Sequence, residues 1–237
     1  MTSIQPAKIR PDFLQELLGR RSGKAKCPSH GSYLIGACVP CAEHAREESR
    51  EFASKSSDWT ENARQECDKL FPLNFKSATV TDLAIAAWVR GFIAGSRRSL
   101  FINGLVGRGK SWQAFGALRE SVTQKNRITW IAQGEPEILQ SMRPHPDVDS
   151  EAVLTQYRKV GVLLIDDLGT SKGSEWVEQA LYRLVNYRYE NALPTIFTSN
   201  VEPEEMVAKI GDRLTSRIAG MCDRVSIKGA DRRRVSA

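Results

Sequence analysis

Short apolar runs, separated by longer amphipathic stretches, dominate the chain from about residue 75 onward. Most of the runs have the length of a buried strand, and helical spacing fills stretches such as 111–124 and 174–190. Continuous apolar strands that alternate with helices are typical of a parallel sheet covered on both faces. The pattern therefore predicts a three-layer α/β domain over residues 75–237. A helix is predicted at 81–94, and strands at 100–102, 128–131, 162–165, 195–198 and 225–227.

The first 70 residues lack this pattern. Residues 1–26 carry scattered basic side chains, residues 27–41 are rich in cysteine and histidine, and residues 42–70 mix both charge signs with few apolar positions. We interpret residues 42–70 as an exposed helix and linker. The chain is thus expected to hold a small N-terminal module over residues 1–70, followed by the α/β domain.

Composition adds a class of partner and a compartment. The 237 residues carry a net charge of +6 and are 41% hydrophobic, a balance typical of soluble globular proteins. The basic excess favours a polyanionic partner, although a solvated basic surface explains the same charge equally well. No apolar run reaches about 18 residues, no apolar signal segment starts the chain, and the five cysteines form no disulfide framework. We expect a cytoplasmic protein without a membrane span.

The strongest chemical signal follows the first strand of the α/β domain. Residues 104–111 read GLVGRGKS, which fits the phosphate-binding pattern G-x-x-x-x-G-K-[ST] at every position. Glycines let backbone N–H groups turn toward phosphates, and the next helix presents its positive end to them. Lys110 is expected to reach the β- and γ-phosphates of ATP, and the Ser111 hydroxyl to coordinate Mg²⁺. The predicted nucleotide contacts are Gly104, Gly107, Arg108, Gly109, Lys110, Ser111 and Trp112.

Two acidic residues end another buried strand. Asp166 and Asp167 follow the apolar residues 162–165. We expect Asp166 to hold Mg²⁺ and Asp167 to orient the attacking water, because phosphoryl transfer depends mostly on positioning and electrostatics. Alone, two strand-end aspartates would more simply form a turn, but the phosphate-binding loop favours the catalytic interpretation. Asn200, at the end of the next strand, is predicted to contact the γ-phosphate or the water, although asparagine is also a common turn former.

The N-terminal cysteines have the spacing of a metal site. Cys27 and His30 form one pair separated by two residues, and Cys38 and Cys41 form a second pair. Thiolate and imidazole ligands in such pairs suit tetrahedral Zn²⁺, and four protein ligands make a closed structural site. His44 could replace His30 if the loop folds otherwise. The alternative to a metal site is buried or reactive cysteine.

Several segments of the α/β domain resemble the DnaC/DnaI-type loaders of the replicative helicase, which bacteria and phages encode. The resemblance covers roughly residues 75–237 and is specific in the order and spacing of its motifs. These segments read DDLG at 166–169, SEW at 174–176, LY at 181–182, RY at 188–189 and LPTIFTSN at 193–200.

The resemblance implies an AAA+ fold and an ATPase activity. It makes residues 104–111 the Walker A motif, residues 162–167 the Walker B motif and Asn200 the first sensor. These loaders usually use Asp or Glu at the position of Asp167. The shorter Asp is compatible with slow intrinsic turnover.

A segment near the end of the chain is similar to the family's arginine finger. Residues 212–217 read DRLTSR, and the resemblance implies that Arg217 acts in the site of an adjacent subunit. A cation supplied in trans would stabilise transition-state charge and couple hydrolysis to assembly. Without the resemblance, Arg213 and Arg217 would more simply share a solvated helix face.

The residues after Asn200 bear on how the nucleotide is covered. GADRR at 229–233 matches a family box whose last arginine, here Arg233, is a second sensor. Only 37 residues follow Asn200, which is too few for the separate helical lid of most AAA+ proteins. We therefore expect a neighbouring protomer to cover the nucleotide, in a ring or open spiral formed by head-to-tail self-association.

The resemblance also implies the partners. Some family members carry a zinc-bearing N-terminal module that grips the helicase, so residues 1–70 are expected to bind a DnaB-type replicative helicase. A zinc knuckle in a basic setting could equally contact DNA. Single-stranded DNA is expected at residues 133–147, which include Arg143, and at Lys172. A charged surface loop is the alternative for this region.

The leading interpretation is an ATPase that uses ATP, Mg²⁺ and Zn²⁺ while it loads the replicative helicase onto single-stranded DNA. The closest alternative is an IstB-like transposition helper that assembles on duplex DNA, but such helpers generally lack an N-terminal Cys/His knuckle. Another is a DNA-binding adaptor that binds ATP with little turnover. A small-molecule kinase is disfavoured because the chain has no room for a substrate lid. Fold alone does not decide among these functions.

Overall fold

The computed structural model describes most of the chain from residue 58 onward and two short strands before it. The chain divides into two compact units, Met1–Ser56 and Ser57–Ala237. The described residues are 25–27, 31–33, 47, 58–125, 128–146, 149–202 and 204–231.

The described backbone of the first unit contains an antiparallel pair of strands. They are β1 (Ala25–Cys27) and β2 (Gly31–Tyr33), and Cys27 pairs with Gly31. Three of the predicted zinc ligands, His30, Cys38 and Cys41, lie outside the described residues, as does the side chain of Cys27.

The second unit is built on a five-stranded sheet in which every neighbouring pair of strands is parallel. The order across the sheet is β4-β5-β6-β3-β7, so strands that follow one another in sequence are joined by helical crossovers. This confirms the predicted parallel α/β architecture. The strands are β3 (Ser99–Asn103), β4 (Trp130–Gly134), β5 (Val162–Asp166), β6 (Thr195–Ser199) and β7 (Cys222–Ser226).

Two strands begin at positions that the apolar pattern does not mark. β4 begins at Trp130 rather than at residue 128, and β7 covers Cys222–Ser226 rather than 225–227. In β7 only Cys222 and Val225 are buried. Its first half therefore gave no continuous apolar run.

Helices cover both faces of the sheet. Successive side chains of a strand point to opposite faces; accordingly Phe101 contributes to one apolar core, while Leu100 and Ile102 contribute to the other. Residues 58–70 (α1), Leu83–Ile93 (α2) and Lys110–Gln124 (α3) pack on the Leu100 side. The other side carries Glu135–Ser141 (α4), Ser150–Lys159 (α5), Glu175–Glu190 (α6), Met206–Ile210 (α7) and Asp212–Met221 (α8). No described helix is long and apolar enough to cross a membrane.

Residues 58–75 belong structurally to the second unit. Helix α1 is exposed along most of its length, as predicted, but Cys67 is fully buried. The ring of Phe71 meets Phe115 edge-on at 4.9 Å, and Asp68 Oδ1 accepts from Arg119 Nη1 at 2.7 Å. The chain continues through a 3₁₀ helix, Leu73–Phe75. The described part of the segment predicted as a linker is thus anchored to helix α3.

A buried guanidinium joins helices α5 and α6 to the sheet. Arg188 is fully buried, and burial lowers its pKa. It donates to Thr195 Oγ1 at 2.8 Å and to carbonyl oxygens near the end of α5 and at Pro194. Because a buried cation is tolerated only when its donors are satisfied, these bonds fix α6 against the start of β6.

Candidate functional site

The phosphate-binding loop, the paired aspartates and Asn200 meet at one edge of the sheet. Strands β5, β6 and β3 are neighbours, and each motif follows directly after one of them. Because parallel strands end at the same edge, the residues after them converge. A cavity of about 300 Å³ opens there. It is lined by Phe75, Val106, Gly107, Gly109, Lys110, Ser111, Trp112, Asp167 and Asn200.

The loop after β3 has the backbone of a phosphate-binding loop. Gly109 has φ 86° and caps helix α3, which begins at Lys110, so the first amides of α3 point toward the loop. At Gly104, with φ 147°, a Cβ would lie 2.5 Å from the carbonyl oxygen of Ile227. Both positions therefore require glycine. Of the predicted nucleotide contacts, Gly104 and Arg108 are not among the residues that line the cavity.

A chain of hydrogen bonds joins the ends of β3, β6 and β5. Lys110, which is only 5% exposed, donates from Nζ to Leu105 O at 3.0 Å and to Asn200 Oδ1 at 2.5 Å. Asn200 Nδ2 in turn donates to Asp167 Oδ1 at 3.0 Å. The structure thus brings together a cation, an amide and a carboxylate from three different motifs, all lining one cavity.

Asp166, the residue before Asp167, is hydrogen-bonded to the hydroxyl of Ser111 on helix α3. Burial raises its pKa, and the neighbouring Asp167 adds to the shift, while hydrogen bonds from Thr198 and Ser111 and the charge of Lys110 oppose it. A desolvated carboxylate with a hydroxyl beside it is an oxygen pair that suits Mg²⁺. Mg²⁺ commonly takes only one or two protein oxygens and completes its shell with phosphate and water. The residues present therefore fit such an ion.

Thr198 fixes both aspartates through its hydroxyl. Its Oγ1 donates to Asp166 Oδ1 at 2.6 Å and accepts from the Asp167 amide at 2.9 Å. Asp167 has φ 55°, a left-handed conformation that costs a non-glycine residue of order 1 kcal/mol. A second bond, from the Leu168 amide to Thr198 O at 2.8 Å, holds the turn. In this conformation the Asp167 carboxylate accepts from Asn200 Nδ2.

The predicted finger lies away from the cavity of its own chain. Arg217 donates from Nε to Asn186 Oδ1 at 2.8 Å, and its guanidinium carbon is 4.9 Å from the ring centroid of Tyr189. Arg213 is exposed and lines a separate cavity of about 420 Å³. Neither arginine is among the described residues that line the cavity of Lys110.

The C-terminal segment runs along the phosphate-binding loop. The Ile227 amide donates to Asn103 O at 2.8 Å, and the Asp231 carboxylate lies where a Cβ on Gly107 would project. Arg233, the predicted second sensor, lies outside the described residues.

The region predicted to meet DNA is a short helix and the loop after it. Helix α4 is followed by Arg143, whose guanidinium carbon lies 5.3 Å from the ring centroid of Trp176 at the start of α6. Lys172 is exposed in the turn that precedes α6. Arg143, in the segment between α4 and α5, thus meets Trp176 at the start of α6, and Lys172 lies in the loop before α6.

The structure adds three residues that sequence reasoning missed. Phe75 lines the cavity and stacks on Phe115 at 4.5 Å. Thr198 is close to the end of the apolar strand β6, and Glu135 directly follows the end of β4. For both residues, a polar side chain near a strand end was the available signal. The Glu135 carboxylate is 1% exposed and accepts from the amides of Gly169 and Ser171.

Comparison with known proteins identifies the family. Residues 75–222 match the model of the bacterial DnaA ATPase domain. The chain belongs to this family. The domain at 75–222 is therefore an ATPase-family domain, as its phosphate-binding loop predicted.

Individual relatives include a helicase loader and a replication initiator. The replicative helicase loader DnaI of Bacillus subtilis is 25% identical over 149 residues, which cover 58% of this chain and 47% of DnaI. The chromosomal replication initiator DnaA of Gloeobacter violaceus is 26% identical over 124 residues, covering 51% of this chain and 27% of DnaA. The chain thus spans less than half the length of these curated relatives.

Solved structures of two helicase loaders and of a replication initiator share the fold. The DnaC helicase loader superposes with a TM-score of 0.57 at 20% identity, covering 66% of this chain and 100% of the DnaC chain. DnaI gives 0.58 at 20% identity, covering 69% and 94%. DnaA bound to AMPPCP and single-stranded DNA gives 0.58 at 21%, covering 68% and 52%. The DnaA-family domain therefore has the α/β fold of these proteins.

Replacement of Thr198 by valine tests the described geometry. Thr198→Val keeps the volume but leaves the Asp167 amide without its side-chain acceptor, so the free energy of unfolding should fall by about 1–3 kcal/mol. Thr170→Val is the matched control, because the exposed Thr170 hydroxyl only donates to Asp167 O at 2.9 Å; its effect should stay within about 0.5 kcal/mol. Urea denaturation measures both, and equal effects would contradict the assignment.

Proposed function

We propose that this chain is an AAA+ ATPase that loads a DnaB-type replicative helicase onto single-stranded DNA. The observation that carries the proposal is the meeting of Lys110, Asn200 and Asp167 in one cavity beside the Ser111–Asp166 oxygen pair. Family membership and the names of two relatives, the loaders DnaI and DnaC, support the replication role.

The site residues have complementary roles toward ATP. The amides of residues 104–111 and the Lys110 ammonium would hold the triphosphate. Mg²⁺ held by Ser111 and Asp166 would neutralise phosphate charge. Asp167 would accept a hydrogen bond from the attacking water, and Asn200, already bonded to it, would fix its orientation. Phe75 and Trp112, the aromatic lining of the cavity, are the proposed neighbours of the base.

Single-stranded DNA would lie over the segment after helix α4 and the loop before helix α6. Arg143 and Lys172 offer cations for the phosphates, and Trp176 offers an aromatic face for a base. Such contacts depend on salt and tolerate any sequence, because every base has a face to stack and every nucleotide carries a phosphate. A loader needs this kind of recognition.

Transfer of the helicase tests the proposed function directly. The unsubstituted chain with ATP should bind the DnaB-type helicase of its own source and place it on circular single-stranded DNA. Lys110→Ala should bind no ATP, because the ammonium that faces the phosphates is lost, and should fail in transfer. The readout is helicase recovered on the DNA circle.

Three outcomes, from helicase pull-down and from measurements of ATP binding and turnover on the same proteins, would change the proposal. Failure to bind the helicase, together with recovery of a transposase in a pull-down, would favour the transposition helper. ATP binding without turnover, with and without single-stranded DNA, would favour the adaptor. Normal ATP binding by Lys110→Ala would contradict the assigned nucleotide site.

We further propose that Arg217 completes the site of an adjacent protomer. Its place on α8, bonded to Asn186 and outside its own cavity, is compatible with action in trans. Arg217→Ala should bind ATP normally but hydrolyse it about 10³-fold more slowly. Arg213→Ala, four residues earlier on the same helix, is the matched control and should lose far less activity.

Mixing two inactive variants separates action in trans from a structural role. Lys110→Ala supplies an intact Arg217 but cannot bind ATP, whereas Arg217→Ala supplies an intact nucleotide site. A mixture of the two should regain part of the ATPase activity. No recovery on mixing, or a normal rate for Arg217→Ala alone, would contradict the trans finger.

Zinc in the N-terminal module is also a proposal. Cys27 ends β1 and pairs with Gly31, the first residue of the antiparallel strand β2, and this position of Cys27 is compatible with one half of a zinc knuckle. Elemental analysis of the purified chain should find about one zinc per molecule. Cys38→Ser should lower this content, while Cys67→Ser, which changes a buried thiol of the second unit, should not. A zinc-free wild-type protein would end the proposal.

The same metal site should matter for the helicase. We propose that residues 1–70 carry the helicase-binding surface, with zinc as the element that folds it. Removal of zinc by a chelator should therefore abolish helicase capture and leave ATP binding intact, because the ATP site lies in the second unit.

A further inference from the structure

A buried carboxylate braces the turn that carries the proposed catalytic aspartate. Glu135 is the first residue of α4 and follows β4 directly, where Gly134 pairs with Asp166 across the sheet. It is 1% exposed, and its oxygens accept from the amides of Gly169 and Ser171, the latter at 3.1 Å. A carboxylate is buried in this way only when hydrogen bonds replace its water.

Hydrogen bonds hold the turn from two sides, and each side accepts from different backbone amides of the turn. On the β6 side, Thr198 accepts from the amides of Asp167 and Leu168, and Ser199 Oγ donates to Leu168 O at 2.7 Å. On the β4 side, Glu135 accepts from the amides of Gly169 and Ser171. The turn that contains the left-handed Asp167 is therefore held by β6 from one direction and by Glu135 of α4 from the other.

The residue that follows helix α4 by two positions also contacts the start of helix α6, which comes after the turn. Arg143, just after α4, stacks on Trp176, just after the turn, and the Arg143 carbonyl accepts from Ser150 Oγ at 3.0 Å. The same two segments are thus joined at the buried end by Glu135 and at the surface by Arg143. Helix α4 is therefore the element that connects the Arg143–Trp176 surface to the turn.

We propose that Glu135 is a positioning residue that transmits occupancy of the Arg143–Trp176 surface to the orientation of Asp167. It is not among the described residues that line the cavity of Lys110, and it acts through the amides of Gly169 and Ser171. The inference rests on the proposed ATPase function and adds a physical route by which single-stranded DNA changes the rate of hydrolysis.

The test uses the full chain with a single isosteric change. Glu135→Gln keeps the shape but turns an amide NH₂ toward an amide N–H, so one of the two bonds is replaced by a repulsion between donors. Glu137→Gln is the matched control, because Glu137 lies on the same helix and is exposed. For each protein we would measure the affinity for a fluorescent ATP analogue, and kcat for ATP with and without a thymidine homopolymer.

A positioning role predicts a split between binding and turnover. Glu135→Gln should bind the analogue as the wild type does, hydrolyse ATP about tenfold more slowly, and lose any change in kcat that the homopolymer causes in the wild type. Glu137→Gln should match the wild type in all three measurements. Glu135→Asp, which keeps the charge but has a shorter reach, should bind normally with an intermediate kcat, and it serves if the glutamine variant fails to fold.

Two results would overturn the inference. One is a wild-type kcat and a wild-type DNA response in Glu135→Gln or Glu135→Asp. The other is a loss of nucleotide affinity in proportion to kcat, which would mark Glu135 as a purely structural residue. Absence of turnover in the unsubstituted chain would instead count against the proposed ATPase, so the two failures are distinguishable.

Discussion

The buried ammonium of Lys110 is the interaction on which the rest of the site depends. A cation that is only 5% exposed must be surrounded by acceptors, and here they come from its own loop, at Leu105 O, and from the end of β6, at Asn200. Asn200 extends the contact to Asp167 at the end of β5. Three strand ends are thereby fixed relative to one another by one charge. Polyphosphate in the adjoining cavity would meet the same cation.

Buried polar groups, rather than the apolar core, shape the loops around this charge. Thr198 holds the two aspartates, Glu135 holds the turn after them, and Arg188 fixes helix α6 against β6. Each makes several hydrogen bonds, because an unsatisfied buried polar atom would cost about 1–3 kcal/mol. The apolar clusters on the two faces of the sheet supply the rigid frame, and these polar groups give the loops a single conformation.

Local sequence was sufficient to predict the sheet, the phosphate-binding loop and the paired aspartates. Their signals are contiguous: an apolar run followed by glycines, or by Asp166 and Asp167. The partners of those residues were harder to find. Glu135 acts on residues more than thirty positions away, and β7 carries no apolar run because Asp223 and Arg224 follow its buried first residue. Topology brings such residues together, and a periodic pattern along the chain does not record topology. The roles of Arg217 and of the N-terminal cysteines stay predictions for the same reason, since each depends on a partner subunit or ion.

The central claim is that the cavity around Lys110 binds ATP with Mg²⁺. Calorimetric titration of the unsubstituted chain with ATP, in the presence and absence of Mg²⁺, tests it most directly. One ATP should bind per chain, and the affinity should fall when Mg²⁺ is withheld, because Asp166 would then face the phosphates without a cation between them. No heat of binding with ATP under either condition would contradict the account.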